Sequence, residues 1–390
     1  MAVVGATGLV GSALTRRLQA TPSVRVVALA RNAIGAGIID AGCPDCEIRI
    51  GSVTDGVAAD ELLGDCNVVI NCALADGGGI PRLAYTRNAR IIDGIVRAPK
   101  LQMLVHLSSV AVYGEYIRSA AKQDLAFRRP RPDSEYGRSK LYAERYAARH
   151  CRRSRVACSI LRLGHVYGAG TARSRHVLEL ARDPRFRLPF GGAIPSNAIH
   201  LDALCSTVEL LATGTLSEGV FNLAGDDVSW RDVFDWHTAS VGLDAVAPMS
   251  IEASEQLRAG FERSSLIGDV LRWGTSLPLR GLMRSPAVFD AALRLLVRTP
   301  QPLVEKVLHR NRRLESGRHI AALAGAEAPA VEPLYLSRGM PGPSLELPDS
   351  CRDVHGSAHA REELARWHRR WSTPPTATRD DHRRQRQTRA

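Results

Sequence analysis

A glycine-rich turn between a short apolar strand and a helical segment constrains the fold of this chain more than any other feature. Glycines stand at positions 5, 8 and 11, and a helical pattern follows over residues 12–19. Glycine lets the backbone turn tightly, approach a pyrophosphate and pack a helix on a strand, while the helix N-terminus attracts phosphate charge. The spacing is GxxGxxG rather than the commoner GxGxxG. The turn therefore predicts a parallel α/β sheet that binds a dinucleotide.

A second motif places a tyrosine and a lysine four residues apart, at Tyr136 and Lys140. Residues four apart share one face of a helix, so the two side chains are expected to meet at one site. An ammonium group near a phenol favours the phenolate, and such a tyrosine can exchange protons with an alcohol or a ketone. Only four of the 52 Lys+Arg residues are lysines, which makes Lys140 conspicuous in this sequence.

Between these motifs, the apolar strand predicted over residues 101–107 ends in two hydroxyls, Ser108 and Ser109, followed by Val112-Tyr113-Gly114. Because strand side chains alternate, Ser108 is expected to face away from the side that Ser109 faces. Together the three stretches resemble the extended short-chain dehydrogenase/reductase superfamily, whose members are often called NAD-dependent epimerases/dehydratases. The resemblance covers residues 1–245, and the order of the motifs makes it highly specific.

The resemblance implies an α/β fold, with a Rossmann-type doubly wound parallel sheet and a smaller C-terminal substrate domain. Further strands are expected over 24–30, 46–50 and 67–73, from residue 159, and from residue 220. The expected organisation is a dinucleotide-binding domain over 1–165 with a returning segment at 196–225, a substrate domain over 166–371 with a helical insertion at 255–345, and a disordered basic tail over 372–390.

The resemblance also implies which residues hold the dinucleotide. NAD-preferring relatives usually carry an acidic residue where this chain has Arg31, so a 2′-phosphate suits the position and NADP is slightly favoured over NAD. Ser52 replaces an aspartate that usually contacts adenine, and Asp55 is either its substitute or a helix N-cap. The residues expected to bind the cofactor are Gly5, Thr7, Gly8, Leu9, Val10, Gly11, Arg31, Ser52, Val53, Cys72, Ala73, Leu74, Asn88, Leu107, Tyr136, Lys140, Leu163 and His165.

By the same resemblance, three side chains are expected to carry the chemistry. Ser109 would position the reacting oxygen, Tyr136 would exchange its proton, and Lys140 would lower the pKa of the tyrosine while holding the cofactor ribose. Ser109, Val110 and His165 are expected to contact the substrate, and His165 stands at a strand end of the kind where ligands bind in such sheets.

Two departures from the family pattern bear on the substrate. Val110 and Ala111 occupy the place of the Asp-Glu pair of sugar 4,6-dehydratases, which argues against elimination chemistry. Ser196 occupies the place of an arginine that grips the substrate diphosphate in many nucleotide-sugar enzymes. The arginines considered as its replacement are Arg173, Arg185 and Arg187.

Three functions are consistent with these residues. The leading hypothesis is an NAD(P)-dependent oxidoreductase of the epimerase/dehydratase type, acting on a secondary alcohol or ketone of a sugar or nucleotide-sugar. An alternative is an NADPH-dependent reductase or dehydrogenase of a hydrophobic ketone or hydroxysteroid-like substrate, which Ser196 and the insertion favour. An alternative of another class is a non-catalytic NADP-binding sensor or scaffold. In each case the partner is a small molecule.

Composition bounds the remaining possibilities. The formal charge is +12, but 23 Lys+Arg against 16 Asp+Glu follow residue 250, and no basic cluster is interleaved with aromatics, so nucleic acid binding is not expected. No apolar run reaches the length of about 18 residues that a spanning helix needs, and no signal pattern opens the chain, so a cytoplasmic protein is expected. Cys43 and Cys46 have metal-like spacing without a second pair, so no metal site is expected.

Two further expectations concern surfaces. Residues 265–308 alternate apolar and arginine positions in a helical pattern, which favours a cover over the substrate cleft; a helix on a membrane surface is the less favoured alternative. Relatives commonly form dimers through the helices that carry the equivalents of Asn88 and Tyr136, so a homodimer is expected by analogy.

Overall fold

The computed structural model describes residues 1–22, 24–74, 81–113, 130, 132, 134–216, 218–224, 228–259 and 358–372. The predicted insertion from residue 260 onward, including the segment 265–308, lies outside the described residues. So do the predicted tail beyond residue 372, and Gly114 and Gly225 of the predicted motifs.

A seven-stranded parallel sheet organises the N-terminal part of the chain, in the order β3-β2-β1-β4-β5-β6-β9. A separate pair, β7 and β8, is also parallel. This confirms the predicted α/β class and the Rossmann-type sheet. The strands are β1 (Ala2–Val4), β2 (Val27–Ala30), β3 (Glu47–Ile50), β4 (Val68–Asn71), β5 (Met103–Ser109), β6 (Ala157–Leu163), β7 (His165–Tyr167), β8 (Ala198–His200) and β9 (Val220–Leu223).

Helices cover both faces of this sheet because its strands carry apolar residues at consecutive positions. The helices are α1 (Leu9–Gln19), α2 (Ala33–Gly42), α3 (Gly56–Leu63), α4 (Pro81–Val96), α5 (Glu135–Ser154), α6 (Ala172–Arg182), α7 (Leu201–Ala212), α8 (Trp230–Val241) and α9 (Ala358–Ser372). On one face Val3, Val105 and Leu107 pack in a core with residues of α1, α2 and α7; on the other, Val4 and Leu104 pack with residues of α3, α4 and α5.

A third hydrophobic cluster lies in the C-terminal part of the chain. It joins α6, α8 and α9, and its largest fully buried side chains include Trp230, Phe234 and Phe186. Ala360 and Leu364 bring α9 into this cluster, and Leu257 packs against it from a helical stretch at residues 251–259. The domain limits predicted at residues 165 and 371 stay predictions.

No helix in the described ranges combines the length and the apolar character needed to cross a bilayer. The cytoplasmic location expected from the sequence stays a prediction. The two cysteines with metal-like spacing, Cys43 and Cys46, are both buried in the core beside α2.

Candidate active site

The glycine-rich turn joins β1 to α1 at the carboxyl edge of the sheet. Gly5 has a φ of +88°, and a Cβ atom there would lie 2.8 Å from the backbone nitrogen of Ala73 at the end of β4. A Cβ atom on Gly11 would lie 2.2 Å from the carbonyl oxygen of Gly5. Neither position therefore accepts a side chain without displacement of the backbone.

The first turn of α1 is open for an anion. Gly8 is its N-cap, and no side chain caps the helix. Thr7, Gly8 and Leu9 are exposed, whereas Val10 is half-buried. Free N–H groups at a helix N-terminus attract a pyrophosphate. Because Gly5 and Gly11 have no side chains, none stands in front of these N–H groups. The residues of the turn therefore fit the predicted dinucleotide.

The adenosine end of the predicted site is formed by the ends of β2 and β3. Arg31 is exposed directly after β2, and the side chain of Asn32 caps α2 by accepting a 2.9 Å hydrogen bond from Gly35. A Cβ atom on Gly35 would lie 3.1 Å from the Thr7 methyl group, so α2 begins beside the glycine-rich turn. Arg31 is thus placed close to the predicted phosphate site.

After β3, the predicted adenine contacts differ in exposure. Ser52 is half-buried and bonds the Thr54 hydroxyl at 2.8 Å, while Val53 is buried in the core. Asp55 is the N-cap residue of α3, but its side chain accepts no capping hydrogen bond. Asp55 is exposed, and its predicted role toward adenine stays a prediction.

The end of β4 forms the floor of the site. The Asn71 side chain accepts a 3.1 Å hydrogen bond from the Ala73 amide, and its amide nitrogen lies 3.1 Å from Nδ1 of His106 on β5. These two contacts fix the turn in which Ala73 lies against Gly5. In this turn Leu74 is exposed and Cys72 is half-buried.

Helix α5 starts unusually close to β5, and this brings its first residues to the site. Ser134 caps the helix by accepting a 3.1 Å hydrogen bond from Gly137. A Cβ atom on Gly137 would lie 2.2 Å from the carbonyl oxygen of Ala111, in the 3₁₀ turn that follows β5 (Val110–Tyr113). Glycine between Tyr136 and the rest of the motif therefore permits this contact.

The structure brings Tyr136 and Ser109 together across that contact. The two side chains share a hydrogen bond, which lowers the pKa of Tyr136, whereas burial of the phenol group raises it and prevails. The residue still keeps 44% of its surface exposed. Ser109 also accepts a 3.2 Å hydrogen bond from the Ala111 amide, which orients its hydroxyl.

Lys140 lies one turn along the same helix face, as its spacing predicted. Its Nζ atom donates a 2.9 Å hydrogen bond to the carbonyl oxygen of Leu107 and lies 5.9 Å from the centre of the Tyr136 ring. Burial lowers the pKa of Lys140 to about 8. Burial of the phenol raises the pKa of Tyr136, and the expected lowering of this pKa by Lys140 stays a prediction.

Asn88 supports the helix that carries these residues. It is buried on α4 and donates hydrogen bonds to the Ala84 carbonyl, at 2.8 Å, and to the Ser139 hydroxyl on α5, at 3.3 Å. Its predicted role as a cofactor contact stays a prediction, whereas its contact with the tyrosine helix is direct.

The predicted substrate side is formed after β5 and β6. Val110 is half-buried in the 3₁₀ turn, and Leu163 is buried at the end of β6. The backbone of His165 donates a 2.9 Å hydrogen bond to the Asn197 carbonyl, and its ring lies 5.5 Å from that of Trp230. His165 is half-buried, and its predicted contact with substrate stays a prediction.

Ser196 does not offer a free polar group to a substrate. It is 1% exposed, donates a 2.7 Å hydrogen bond to the Val228 carbonyl and accepts one from the Ala198 amide.

The three arginines considered as replacements differ in their surroundings. Arg185 forms an ion pair with Asp183, and Arg187 donates to the Pro184 and Phe186 carbonyls. Arg173 is half-buried near the start of α6. Their predicted role toward a substrate diphosphate stays a prediction.

One buried polar network beside the site was not predicted from the sequence. Glu144 on α5 accepts a 2.6 Å hydrogen bond from Ser108 and pairs with Arg162 on β6 at 2.7 Å. Arg162 also donates to the Tyr113 hydroxyl, at 2.8 Å, which donates to Asn222 on β9, at 2.9 Å. The sequence signal that could have pointed to Glu144 is its spacing, four residues after Lys140, which itself lies four residues after Tyr136.

Comparison with known proteins agrees with this geometry. The model of the NAD dependent epimerase/dehydratase family matches residues 1–183. A dTDP-L-rhamnose 4-epimerase of Burkholderia thailandensis is 27% identical over 213 residues, which cover 43% of this chain and 58% of that protein. This chain therefore spans little more than half the length of that curated relative.

Two solved structures are similar in fold. The UDP-glucuronic acid 4-epimerase of Bacillus cereus, in complex with NAD, is 23% identical with a TM-score of 0.51, over 63% of this chain and 85% of that one. The UDP-glucose 4-epimerase of Thermus thermophilus, in complex with NAD, is 19% identical with a TM-score of 0.50, over 64% of this chain and 85% of that one.

Proposed function

This chain belongs, through residues 1–183, to the NAD dependent epimerase/dehydratase family, and on that premise we propose that it transfers hydride at a secondary alcohol or ketone carbon of a nucleotide-sugar. The observation that carries the proposal is the convergence of Ser109, Tyr136 and Lys140 at the carboxyl end of β5, beside the glycine-rich turn. The 27% identical relative is named as an epimerase of such a substrate.

The proposed mechanism assigns one task to each side chain. Ser109, oriented by the Ala111 amide, holds the reacting oxygen by a hydrogen bond. Tyr136, as the phenolate, takes the proton from that oxygen during oxidation, and as the phenol it returns the proton during reduction. Lys140 places a positive charge beside the phenol, which stabilises the phenolate when the proton has left. A dinucleotide held by the glycine-rich turn would supply the hydride chemistry.

The type of net reaction follows from the residues after Ser109. Val110 and Ala111 carry no acid or base, so they cannot supply the proton transfers that elimination of water requires. We therefore propose epimerisation, or net oxidation or reduction, rather than dehydration.

We propose NADP as the preferred dinucleotide because Arg31 is exposed at the end of β2, beside the N-terminus of α2. A guanidinium group there can pair with a 2′-phosphate. The two similar structures hold NAD, but at their low identity they support only the fold, so the choice rests on Arg31. We also propose a homodimer, by analogy with the family. Its interface would be formed by α4 and α5, which pack against each other on one face of the sheet.

One experiment tests the proposed function directly. The purified protein is denatured and any released dinucleotide is identified by mass and absorbance, after which the stripped protein is titrated with NADPH and NADH and then with a panel of nucleotide-sugars. Retained dinucleotide together with turnover of a nucleotide-sugar supports a cofactor-recycling epimerase. Failure to bind either dinucleotide would refute the proposal.

A second candidate is a reductase of a hydrophobic ketone, and Ser196 favours it. Its buried, doubly bonded hydroxyl offers no charge to a substrate diphosphate. Reversible binding of NADPH, with no thermal shift from any nucleotide-sugar, would support this candidate. A sensor without catalysis is disfavoured because the three catalytic side chains are all present and converge.

A further inference from the structure

We propose that Glu144 is a positioning residue of this active site, whose buried carboxylate holds Lys140 in its ammonium form beside Tyr136. The inference rests on the proposed function for its meaning, but its test does not need a substrate. It begins from geometry: Tyr136, Lys140 and Glu144 follow one another at intervals of four on α5, so the three side chains share one helix face.

The carboxylate is fixed by donors from two strands. Glu144 is 3% exposed, and both of its oxygens accept hydrogen bonds from Arg162, at 2.7 to 3.2 Å, while Oε1 also accepts from Ser108 at 2.6 Å. Every partner donates, and the Arg162 guanidinium is a permanent cation, so charge-assisted hydrogen bonds fix the carboxylate in place. Because Ser108 precedes Ser109 on β5, the same contacts tie α5 to the strand end that carries the reactive hydroxyl.

The other titratable groups around Lys140 in the described ranges are uncharged near neutral pH. Burial raises the pKa of the Cys72 thiol at the end of β4 to about 12, so it contributes no thiolate there. Burial, with Lys140 nearby, lowers the pKa of His106 on β5 to about 3, so this imidazole is neutral. Tyr136 is a neutral phenol, since its pKa is raised.

The charged groups of the neighbouring elements are already engaged elsewhere. Asp93 on α4 accepts hydrogen bonds from Tyr146 at 2.8 and 3.0 Å and lies 3.6 Å from His150. Tyr146 and His150 follow Lys140 on α5 by six and ten residues. Arg162 on β6 is engaged in its ion pair with Glu144 itself. A Cys72 thiolate would also raise the pKa of Lys140, but it forms only at high pH. Among the described residues, Glu144 is therefore the anion that opposes the loss of the Lys140 proton near neutral pH, and its charge raises the pKa that burial lowers.

The chain offers a direct measurement because it contains only four lysines. Full-length protein labelled with ¹³C at lysine Cε gives few signals, and the one missing in Lys140→Met belongs to Lys140. Its chemical shift is followed against pH in the stripped protein, in the wild type, in Glu144→Gln, and in Asp93→Asn as a matched carboxylate-to-amide control on the neighbouring helix.

We expect the wild-type signal to titrate near pH 8. The Glu144→Gln signal should titrate roughly 0.5 to 1 pH unit lower, because the variant lacks one nearby negative charge that stabilises the ammonium form. The Asp93→Asn signal should coincide with the wild type. An unchanged midpoint in Glu144→Gln, or an equal shift in Asp93→Asn, would overturn the proposal.

A second variant covers the case in which Glu144→Gln fails to fold with Arg162 left unpaired. Glu144→Gln combined with Arg162→Met removes both buried charges, a change that proteins tolerate better than loss of one partner. The midpoint should again fall below that of the wild type, and equality with the wild type would contradict the role given to Glu144. Because no substrate is involved, an inactive enzyme with the expected titration would refute the proposed function alone.

Discussion

The ammonium group of Lys140 donates a 2.9 Å hydrogen bond to the carbonyl oxygen of Leu107, the residue two before the reactive Ser109. This bond ties the tyrosine helix to the carboxyl end of β5 and buries a positive charge under the site. The cost of that burial is visible in the lowered pKa of the lysine. Under the proposed mechanism, Lys140 therefore affects both catalysis and stability, and both effects can be measured.

Replacement of Tyr136 by phenylalanine should remove turnover and spare the cofactor. In the proposed mechanism the phenol exchanges the proton of the reacting oxygen, so kcat should fall by about 10²- to 10⁴-fold. Affinity for NADPH should change little, as measured by titration calorimetry. Tyr142→Phe, on the exposed side of the same helix, is the control and should stay active. A Tyr136→Phe enzyme with wild-type kcat would contradict the assignment.

Lys140 should make the stripped protein more stable as pH rises above 8. Below about pH 8 the lysine is charged in both states, and the folded state bears the full cost of burial. Between the folded pKa of about 8 and the ordinary value of 10.5, only the unfolded state keeps the proton, so the free energy of unfolding rises. The rise should approach about 3 kcal/mol by pH 10.5.

Urea denaturation of the wild type and of Lys140→Met at several pH values isolates this contribution. The methionine variant lacks the charge, so the free energy of unfolding of the wild type should rise with pH relative to that of the variant. A constant difference from about pH 7 to about pH 10 would mean that the lysine is not desolvated in the folded protein.

Arg31→Ala should weaken NADPH binding by roughly 10- to 100-fold, the value of a charge-assisted hydrogen bond. NADH lacks the 2′-phosphate, so its affinity should stay within about twofold of the wild type. Fluorescence titration of both dinucleotides measures the ratio. Arg16→Ala, which removes an equal charge from the last turn of α1, is the control. Equal losses of affinity for NADH and NADPH would show that Arg31 does not bind the 2′-phosphate.

Gly11→Ala should destabilise the turn and weaken dinucleotide binding, because its Cβ atom would fall 2.2 Å from the Gly5 carbonyl oxygen. We expect a loss on the order of 1–3 kcal/mol. Gly37→Ala is the matched control: it lies exposed in α2 with nothing within 4 Å of its Cβ position, and should be neutral or slightly stabilising. Thermal unfolding compares the two; similar melting temperatures would contradict the close approach at Gly11.

Leu364→Ala should destabilise the C-terminal cluster by about 2–5 kcal/mol, since this side chain of α9 is 0% exposed. Glu362→Ala, on the solvent side of the same helix, should cost little. Chemical denaturation measures both. An unaffected Leu364→Ala protein would mean that α9 does not close the substrate domain, and would count against the predicted limit at residue 371.

Local motifs predicted the parts of the fold that depend on local geometry. The glycine spacing predicted the turn before α1, and the alternation of a strand predicted that Ser108 and Ser109 face opposite sides, as their separate partners show. Strand limits were less accurate. β2 begins at residue 27 rather than 24 because its partner β1 is short and pairs Ala2 with Val27.

The buried network around Glu144 lay beyond sequence reasoning for a physical reason. Its hydrogen bonds join residues 18 and 36 positions apart, on different strands and a helix. No periodicity within one element encodes such a pairing, which appears only when β5, β6 and α5 are packed. The buried position of Ser196 was missed in the same way, since its partner Val228 is 32 residues away.

The C-terminal cluster brings together two segments that are far apart in sequence. Leu257 and Ala360 both pack on this cluster, although residues 258–359 separate them in sequence. Two segments that are distant in sequence therefore share one apolar core. A substitution that weakens the cluster should loosen the helical stretch at 251–259 and α9 together.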